Sequence, residues 1–390
     1  MLACLPSLFS ACSIIYDDYP IENDAPANKT AMIVLSVATP AATSRAAQDI
    51  EMMHSLRVVL LDNNGIVEYN TLENDSNIFG SGISELDYAT KIRLIPTTPG
   101  VKKIFFIANE ETVTTLGGST QQSLTDLLNS YPVGSDGFEN AVNNAYFTPD
   151  YNNGSKLLLT SSYQITVPES NGHDNIYKHD FWLVHAATKF EFEFNNLREN
   201  PITIQNLSIS SLANNMFVMA KLDPHEITKT YNQIDYYWID WLKMVSEDTT
   251  NNPNLPDNKN VNDKYGWISG YNMPDGTDHT QTAVNLEPLS DIPSGTKSQP
   301  LVVYYPESKS ISGDGQEYSL NITVIDTGEG VEEPRKDFEN LKLENVKALF
   351  RNTHVKVTVT ISNKDLETAI ELQIGICPWV DEDIYIPPFD

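Results

Sequence analysis

The sequence predicts an all-β protein built as two β-sandwich domains with a few short helices. Three observations carry that expectation. In Lys189-Phe-Glu-Phe-Glu-Phe194 the aromatic residues Phe190, Phe192 and Phe194 fall on one face and Glu191 and Glu193 on the other, and a period of two marks a half-buried strand. Turn pairs recur between such runs, at Asn64-Gly65, Asn153-Gly154 and Asn171-Gly172, which is the punctuation of antiparallel β structure. The 390 residues also exceed the size at which one hydrophobic core keeps growing, so two domains are the default.

Taken in order, residues 1–12 form an apolar leader ending Ser10-Ala11-Cys12. It is too short to span a bilayer, which needs roughly 20 apolar residues, and reads as the end of a secretory signal. Small residues just before Cys12 suit a lipoprotein signal peptidase, with Phe9 where an aliphatic residue is usual and no Lys or Arg ahead of the apolar run. Cys12 is therefore the expected lipidation site, and a frayed apolar terminus is the plainer alternative. With Cys4 leaving in the signal, Cys377 is the one thiol left, and the fold must hold without an internal disulfide.

Residues 13–45 read as an acidic tether and an isolated strand, Ala31-Met-Ile-Val-Leu-Ser-Val-Ala-Thr39, whose Ile33, Leu35 and Val37 share one face. The first domain is expected over 46–178. Leu56–Leu61, the turn Asp62-Asn-Asn-Gly65 and Ile66–Tyr69 suggest a hairpin. Lys91–Ile95 alternates, Val101–Ala108 is apolar enough for a central strand, Gln122–Ser130 suits one short helix, and Leu157–Leu159 and Tyr163–Val167 end the domain. A polar stretch from Pro168 to Asp180 marks the boundary.

The second domain, 179–390, continues with Lys189–Phe194, a strand pair in Pro201–Ser210, Leu301–Tyr305, Tyr318–Ile325 and Val355–Ile361. Such strands with loops between them favour a sandwich. An Asn-, Asp-, Pro- and Gly-rich insertion spans 228–300; within it Ile234, Trp238, Trp241, Leu242 and Val245 recur at helical spacing. That spacing suggests a short helix docked on the domain, with a carbohydrate platform of Trp238 and Trp241 as the alternative. At the carboxy end Ile370, Leu372, Ile374 and Ile376 alternate with Glu371, Gln373 and Gly375, and the tail Ile384-Tyr-Ile-Pro-Pro-Phe389 follows.

Charge and motif content narrow the function classes. With 25 Lys+Arg against 53 Asp+Glu the net charge is −28, which argues against a nucleic-acid partner and suits a solvated surface molecule. Nothing beyond the leader is long and apolar enough to cross a membrane, so attachment would come through the lipid on Cys12 alone. The zinc pattern H-E-x-x-H and the serine elbow G-x-S-x-G are missing. No enzyme activity, cofactor or metal is expected. The oxygen-rich stretches Asp150–Gly154 and Asp275–Asp278 do not complete a calcium loop.

His185-Ala-Ala-Thr-Lys-Phe-Glu-Phe-Glu-Phe-Asn-Asn, followed by Ile202-Thr-Ile and Leu207-Ser-Ile-Ser, resembles the strand pair of the fimbrillins, the pilus subunits of Bacteroidales. Leu56-Arg-Val-Val-Leu-Leu-Asp, Phe105-Phe-Ile-Ala-Asn109, Val303-Tyr-Tyr-Pro-Glu307, Phe350-Arg-Asn-Thr-His-Val-Lys-Val-Thr-Val and the closing Pro378-Trp379 are similar to that family in the same order. Each motif is mostly strand chemistry; the order is the specific part. His185 stands where the family often has Arg.

The resemblance implies two tandem transthyretin-like β-sandwiches, export as an outer-membrane lipoprotein precursor, and maturation by an arginine-specific protease into a cell-surface fimbrium. Removal of the first strand would open a groove for a strand of the neighbouring subunit, because an edge of unpaired backbone groups recruits another strand. In this chain Ile33, Leu35 and Val37 would belong to the removable strand. Cleavage would fall between Arg45 and Ala46, in the small-residue linker Pro40–Ala47; Arg57 and Arg93 lie in predicted strands, and an ordinary surface role for Arg45 stays open. The donor would lie in 370–389, from Ile370, Leu372, Ile374 and Ile376 or from the tail, unless both simply complete their own sheets. Implied partners are other fimbrial subunits, the protease, and a host or bacterial surface ligand. A tip or accessory adhesin, an anchor subunit and a surface glycan-binding lipoprotein are the alternatives to a stalk subunit.

Overall fold

A computed structural model gives the fold. It describes residues 31–37, 49–51, 53–73, 91–118, 121–151, 156–169, 176–177, 181–221, 227–231, 234–237, 272–287, 289–309, 318–328, 334–343, 346, 348–364, 367–378 and 384–386.

The first half of the described chain contains β1 (Ala31–Val37), β2 (Leu56–Leu61), β3 (Val67–Glu73), β4 (Lys91–Thr97), β5 (Gly100–Ala108), β6 (Tyr146–Phe147), β7 (Leu159–Val167), β8 (Ile176–Tyr177) and β9 (Phe181–His185). Two helices, α1 (Leu124–Asn129) and α2 (Phe138–Asn144), lie between β5 and β6. The second half runs through β10 (Thr188–Asn196), β11 (Ile202–Ala213), β12 (Met216–Phe217), β13 (Ile227–Tyr231), β14 (Ile234–Tyr237), β15 (His279–Ala283) and β16 (Leu301–Tyr305). It closes with β17 (Ser308–Lys309), β18 (Ser319–Asp326), β19 (Arg335–Lys342), β20 (Ala348–Leu349), β21 (Thr353–Lys364), β22 (Glu367–Pro378) and β23 (Ile384–Ile386).

A six-stranded sheet ordered β23-β9-β7-β5-β2-β3 is the spine of the first half. Strand β2 and the second half of β5 are buried on both faces, and alternation decides which residue goes where. Val58, Leu60, Ile104 and Phe106 face one core, which also holds Ile95 of β4 in the three-stranded sheet β4-β1-β8. Val59, Leu61, Phe105 and Ile107 face the other, which α1, α2 and β12 cover with Leu124, Leu128, Phe138, Val142 and Met216. This double burial is why Leu56–Leu61 is almost uniformly apolar, with Arg57 the exception. The hairpin expected at Asn64-Gly65 forms between β2 and β3, with Gly65 at a φ of 80° that L side chains rarely adopt.

Helix α1 forms where expected: Ser123 caps it, its hydroxyl accepting from the Asp126 amide at 3.0 Å. Helix α2 was not anticipated. Packing holds it: Phe138 meets Phe105 edge-on at 5.3 Å and Tyr131 at 5.6 Å.

The second half is a sandwich of two four-stranded sheets, β16-β10-β21-β22 and β15-β11-β18-β19. Phe190, Phe192 and Phe194 are all buried in its core, as their period of two requires, against Leu320, Ile322, Val355 and Val357. Burying each such side chain is worth about 1.5–3 kcal/mol, so this strand anchors the sandwich. β10 runs parallel to β21 and antiparallel to β16.

Two element assignments are corrected. The strand pair expected in Pro201–Ser210 is one long strand, β11, bent by a register shift between Ile204 and Asn206. Ile234, expected to begin a docked helix, lies in β14 and pairs with Tyr231 in a hairpin; the Ile, Thr and Tyr residues of 227–237 favour extended backbone. Trp238, Trp241, Leu242 and Val245 lie outside the described residues. The segment Phe181–His185, placed by the sequence reading at the opening of the second domain, hydrogen-bonds to β7 of the first sheet through His185 and Val184.

Candidate assembly site

Strand β1 lies between β4 and β8. Its seven residues pair antiparallel with β4, from Ala31 opposite Thr97 to Val37 opposite Lys91, and Met32 and Ile33 also pair in parallel with Ile176 and Tyr177 of β8. Ile33 stands opposite Ile95, a fully buried residue of the first core; Leu35 and Val37 occupy the positions opposite Arg93 and Lys91. Arg93 is thus inside a ladder, as is the buried Arg57. Cys12, Arg45 and Ala46 lie outside the described residues.

The partner strand β4 is held independently at its carboxy end. Thr97 and Thr98 donate to Glu68 Oε2 and Oε1 at 2.7 and 2.8 Å, and Lys102 Nζ donates to Glu68 Oε1 at 2.8 Å and to Thr98 Oγ1 at 2.6 Å. Burial pushes the Glu68 carboxyl up, but the hydrogen bonds from Lys102, Thr97 and Thr98 and the Lys102 charge outweigh it and hold the pKa below the ordinary value. The cluster ties β4 to β3 and β5 without using β1.

Downstream of β1 the chain is pinned where the two halves meet. Glu51 is buried, its Oε1 2.9 Å from Lys189 Nζ of β10 and accepting from the Tyr304 hydroxyl of β16 at 2.5 Å. The Leu157 amide donates to the Ile50 carbonyl at 2.8 Å, and Ile50 packs against Leu157, Ala187 and Tyr304. His185 sits fully buried beside them, Nδ1 3.1 Å from Asn352 Oδ1 and Nε2 3.2 Å from the Glu51 carbonyl. Burial pushes this imidazole below its ordinary pKa, against the pull of those two oxygens and the Glu51 carboxylate. Asn352, at a φ of 58°, donates its amide to the carbonyls of His185 and Ala187; Asn tolerates this left-handed geometry better than most residues.

Arg351 completes the seam. Its guanidinium pairs with Glu307 at 2.8 Å, both side chains enclosed. It also donates to Thr160 Oγ1 at 3.2 Å, the Val218 carbonyl at 3.1 Å and the Phe217 carbonyl at 2.8 Å. The sequence does not single out Glu51, Lys189, Glu307 and Arg351; the available signal is a charged residue bordering an apolar or aromatic run, as at Ala348-Leu-Phe350-Arg351.

The carboxy-terminal segments are both paired within this chain. β22, which carries Ile370, Leu372, Ile374 and Ile376, is an edge strand aligned with β21 from Lys364 opposite Glu367 to Thr353 opposite Pro378. Ile370 and Leu372 are half-buried against the second core. The tail strand β23 pairs antiparallel with β9. Among the described residues no group of three or more His, Cys, Asp and Glu is disposed to hold a metal ion, and no helix is long and apolar enough to cross a membrane.

The chain is similar to the tip fimbrial protein Mfa3 from Porphyromonas gingivalis, solved with a carboxy-terminal truncation, at 14% identity over 90% of this chain and 99% of that one, with a TM-score of 0.46. It is also similar to a fimbrial assembly protein from Parabacteroides distasonis, at 11% identity over 88% and 98% of the two chains and a TM-score of 0.42. The fimbrial anchor protein Mfa2 from Porphyromonas gingivalis matches at 12% identity over 92% and 99%, with a TM-score of 0.34. No protein-family profile matches the chain, and no curated protein does.

Proposed function

We propose that the chain is a structural, non-enzymatic subunit of a cell-surface fimbria, exported as a precursor lipidated at Cys12 and joined to its neighbours by exchange of one β-strand for another. The observation that carries this reading is the pairing of β1. It is a short strand set between two others, held along one side by seven ladder positions and along the other by two. The sequence then leads from it through a small-residue linker containing Arg45 to a firmly anchored turn at Asp49–Glu51. A cut between Arg45 and Ala46 would free everything before it while leaving the fold after it pinned through Glu51. β4, still held by Glu68, would then present an unpaired edge beside the core that contains Ile95. Such an edge draws in another strand.

The incoming strand, in this proposal, is the carboxy-terminal segment of a second subunit. A donor burying three or four large apolar side chains gains about 1.5–3 kcal/mol for each before ordering costs, enough for a persistent joint. The ordered strand motifs that resemble the fimbrillins support the same reading, and the net charge of −28 suits a surface molecule. In the accessory-adhesin alternative the 228–300 insertion would bind a surface ligand, and in the separate glycan-binding alternative Trp238 and Trp241 would bind sugar directly.

Digestion of the purified precursor with an arginine-specific protease tests it. The expected outcome is a new amino terminus at Ala46, loss of residues 31–37 from the product, and a ladder of high-mass species on non-dissociating gels. A stable clipped monomer would move the assignment to a tip subunit, and cleavage elsewhere with β1 retained would overturn strand exchange.

A further inference from the structure

The edge that β23 covers is bare without it. Among the described residues β9 meets β7 through Val184 and His185, and its first three residues pair with β23 and no other strand: Phe181 with Ile386, Trp182 with Tyr385, Leu183 with Ile384. Leu183 is fully buried in the first core, so this edge runs along an apolar interior, the kind of template that pairs with foreign strands. β23 also comes within 8 Å, Cα to Cα, of β1.

We propose that residues 384–386 are an intramolecular cap. In the unassembled subunit the tail docks on its own amino-terminal sheet, keeping both the β9 edge and the tail out of pairing with other copies until β1 leaves. The cap itself depends only on the pairing just described; its inhibitory role rests on the strand-exchange reading above.

Three features fit a releasable cap. It is short, with three ladder positions against the twelve that hold β22 to β21. Proline has no N–H to give a ladder, and Pro387 and Pro388 follow Ile386 directly in sequence, so neither of these two residues could donate to an extension of it. Only residues 379–383 separate it from the end of β22, and so short a tether gives an effective concentration on the order of millimolar. A weak contact is then occupied in cis at protein concentrations where the same contact in trans is not. The position beside β1 supplies the release: a change in β1 is made at the cap's own flank.

Hydrogen exchange read by mass spectrometry on the uncleaved chain tests the cap before any assembly is involved. Deleting residues 380–390 should speed exchange at the amides of 181–183 by at least about tenfold and leave 353–361 unchanged. Excess peptide of sequence 380–390 should restore the protection. Equal exchange at 181–183 in the two chains would overturn the proposal. The inhibitory role is read from a W182C/Y385C pair, cross-strand neighbours, in a chain whose three native cysteines are replaced by serine. After arginine-specific cleavage the oxidised form should remain monomeric and the reduced form should extend. Equal extension of both would overturn the inhibitory role. If neither extends while exchange shows the cap, the cap stands and strand exchange fails.

Discussion

Arg351 and Glu307 illustrate what a single buried charge does in this molecule. The guanidinium joins Glu307 of the second sandwich to Thr160 of β7 and to the carbonyls of Phe217 and Val218. Breaking a buried pair by removing one partner leaves an uncompensated charge and costs about 3–5 kcal/mol. Arg351→Met is therefore expected to lower the unfolding free energy by about that amount, measured by denaturant titration. Adding Glu307→Leu should recover part of the loss, since no lone charge remains, although the carbonyls of 217 and 218 still lose a donor. Sequence reading could place Arg351 at a strand entrance. It could not foresee its partners, because Glu307 and Thr160 lie 44 and 191 residues away along the chain.

Among the elements, β4 matters most to the proposed assembly, because it would become the open edge once β1 is gone. Its carboxy end is clamped by Glu68, whose pKa is depressed. A carboxyl with a depressed folded pKa contributes stability that is complete above its unfolded value, and that is lost as pH falls through the folded one. Protection of the amides of Ile95, Thr97 and Thr98 should therefore hold from neutral pH down to about the ordinary glutamate value of 4.5 and fall below it, read by hydrogen exchange corrected for intrinsic rates. Glu68→Gln should flatten that dependence; an unchanged profile would remove Glu68 as the clamp. The existence of β4 was legible from the alternation of Lys91–Ile95, and β1 from Ile33, Leu35 and Val37. Helix α2 was not, because its stability comes from Phe138 finding Phe105 and Tyr131 rather than from any propensity of its Asn-rich sequence. Ile234 shows a related limit: helical spacing of large residues points to a helix there, yet the residue lies in strand β14, where the extended preference of Ile and Tyr prevails.

For the molecule as a whole, the net charge of −28 opposes any joining of copies, because like-charged bodies repel over about 10 Å at 0.1 M salt and over less as salt rises. Assembly of the cleaved subunit is thus expected to be slowest at low ionic strength and to accelerate toward physiological salt, followed by light scattering; a rate that falls with added salt would mean that attractive charge pairs dominate the joint. Local order was readable from the chain alone: the all-β class, most strands, the hairpin at Asn64-Gly65, the capped helix α1 and the burial of Phe190, Phe192 and Phe194 all follow from periodicity and turn chemistry, which act between residues close in sequence. Which strands become neighbours is another matter. That β1 lies between β4 and β8, that β22 closes its own sandwich, that β23 returns to β9, and that Glu51, His185, Lys189, Arg351 and Asn352 converge on one seam were settled only by the tertiary structure, because each depends on matching the cores and hydrogen-bond demands of segments tens to hundreds of residues apart.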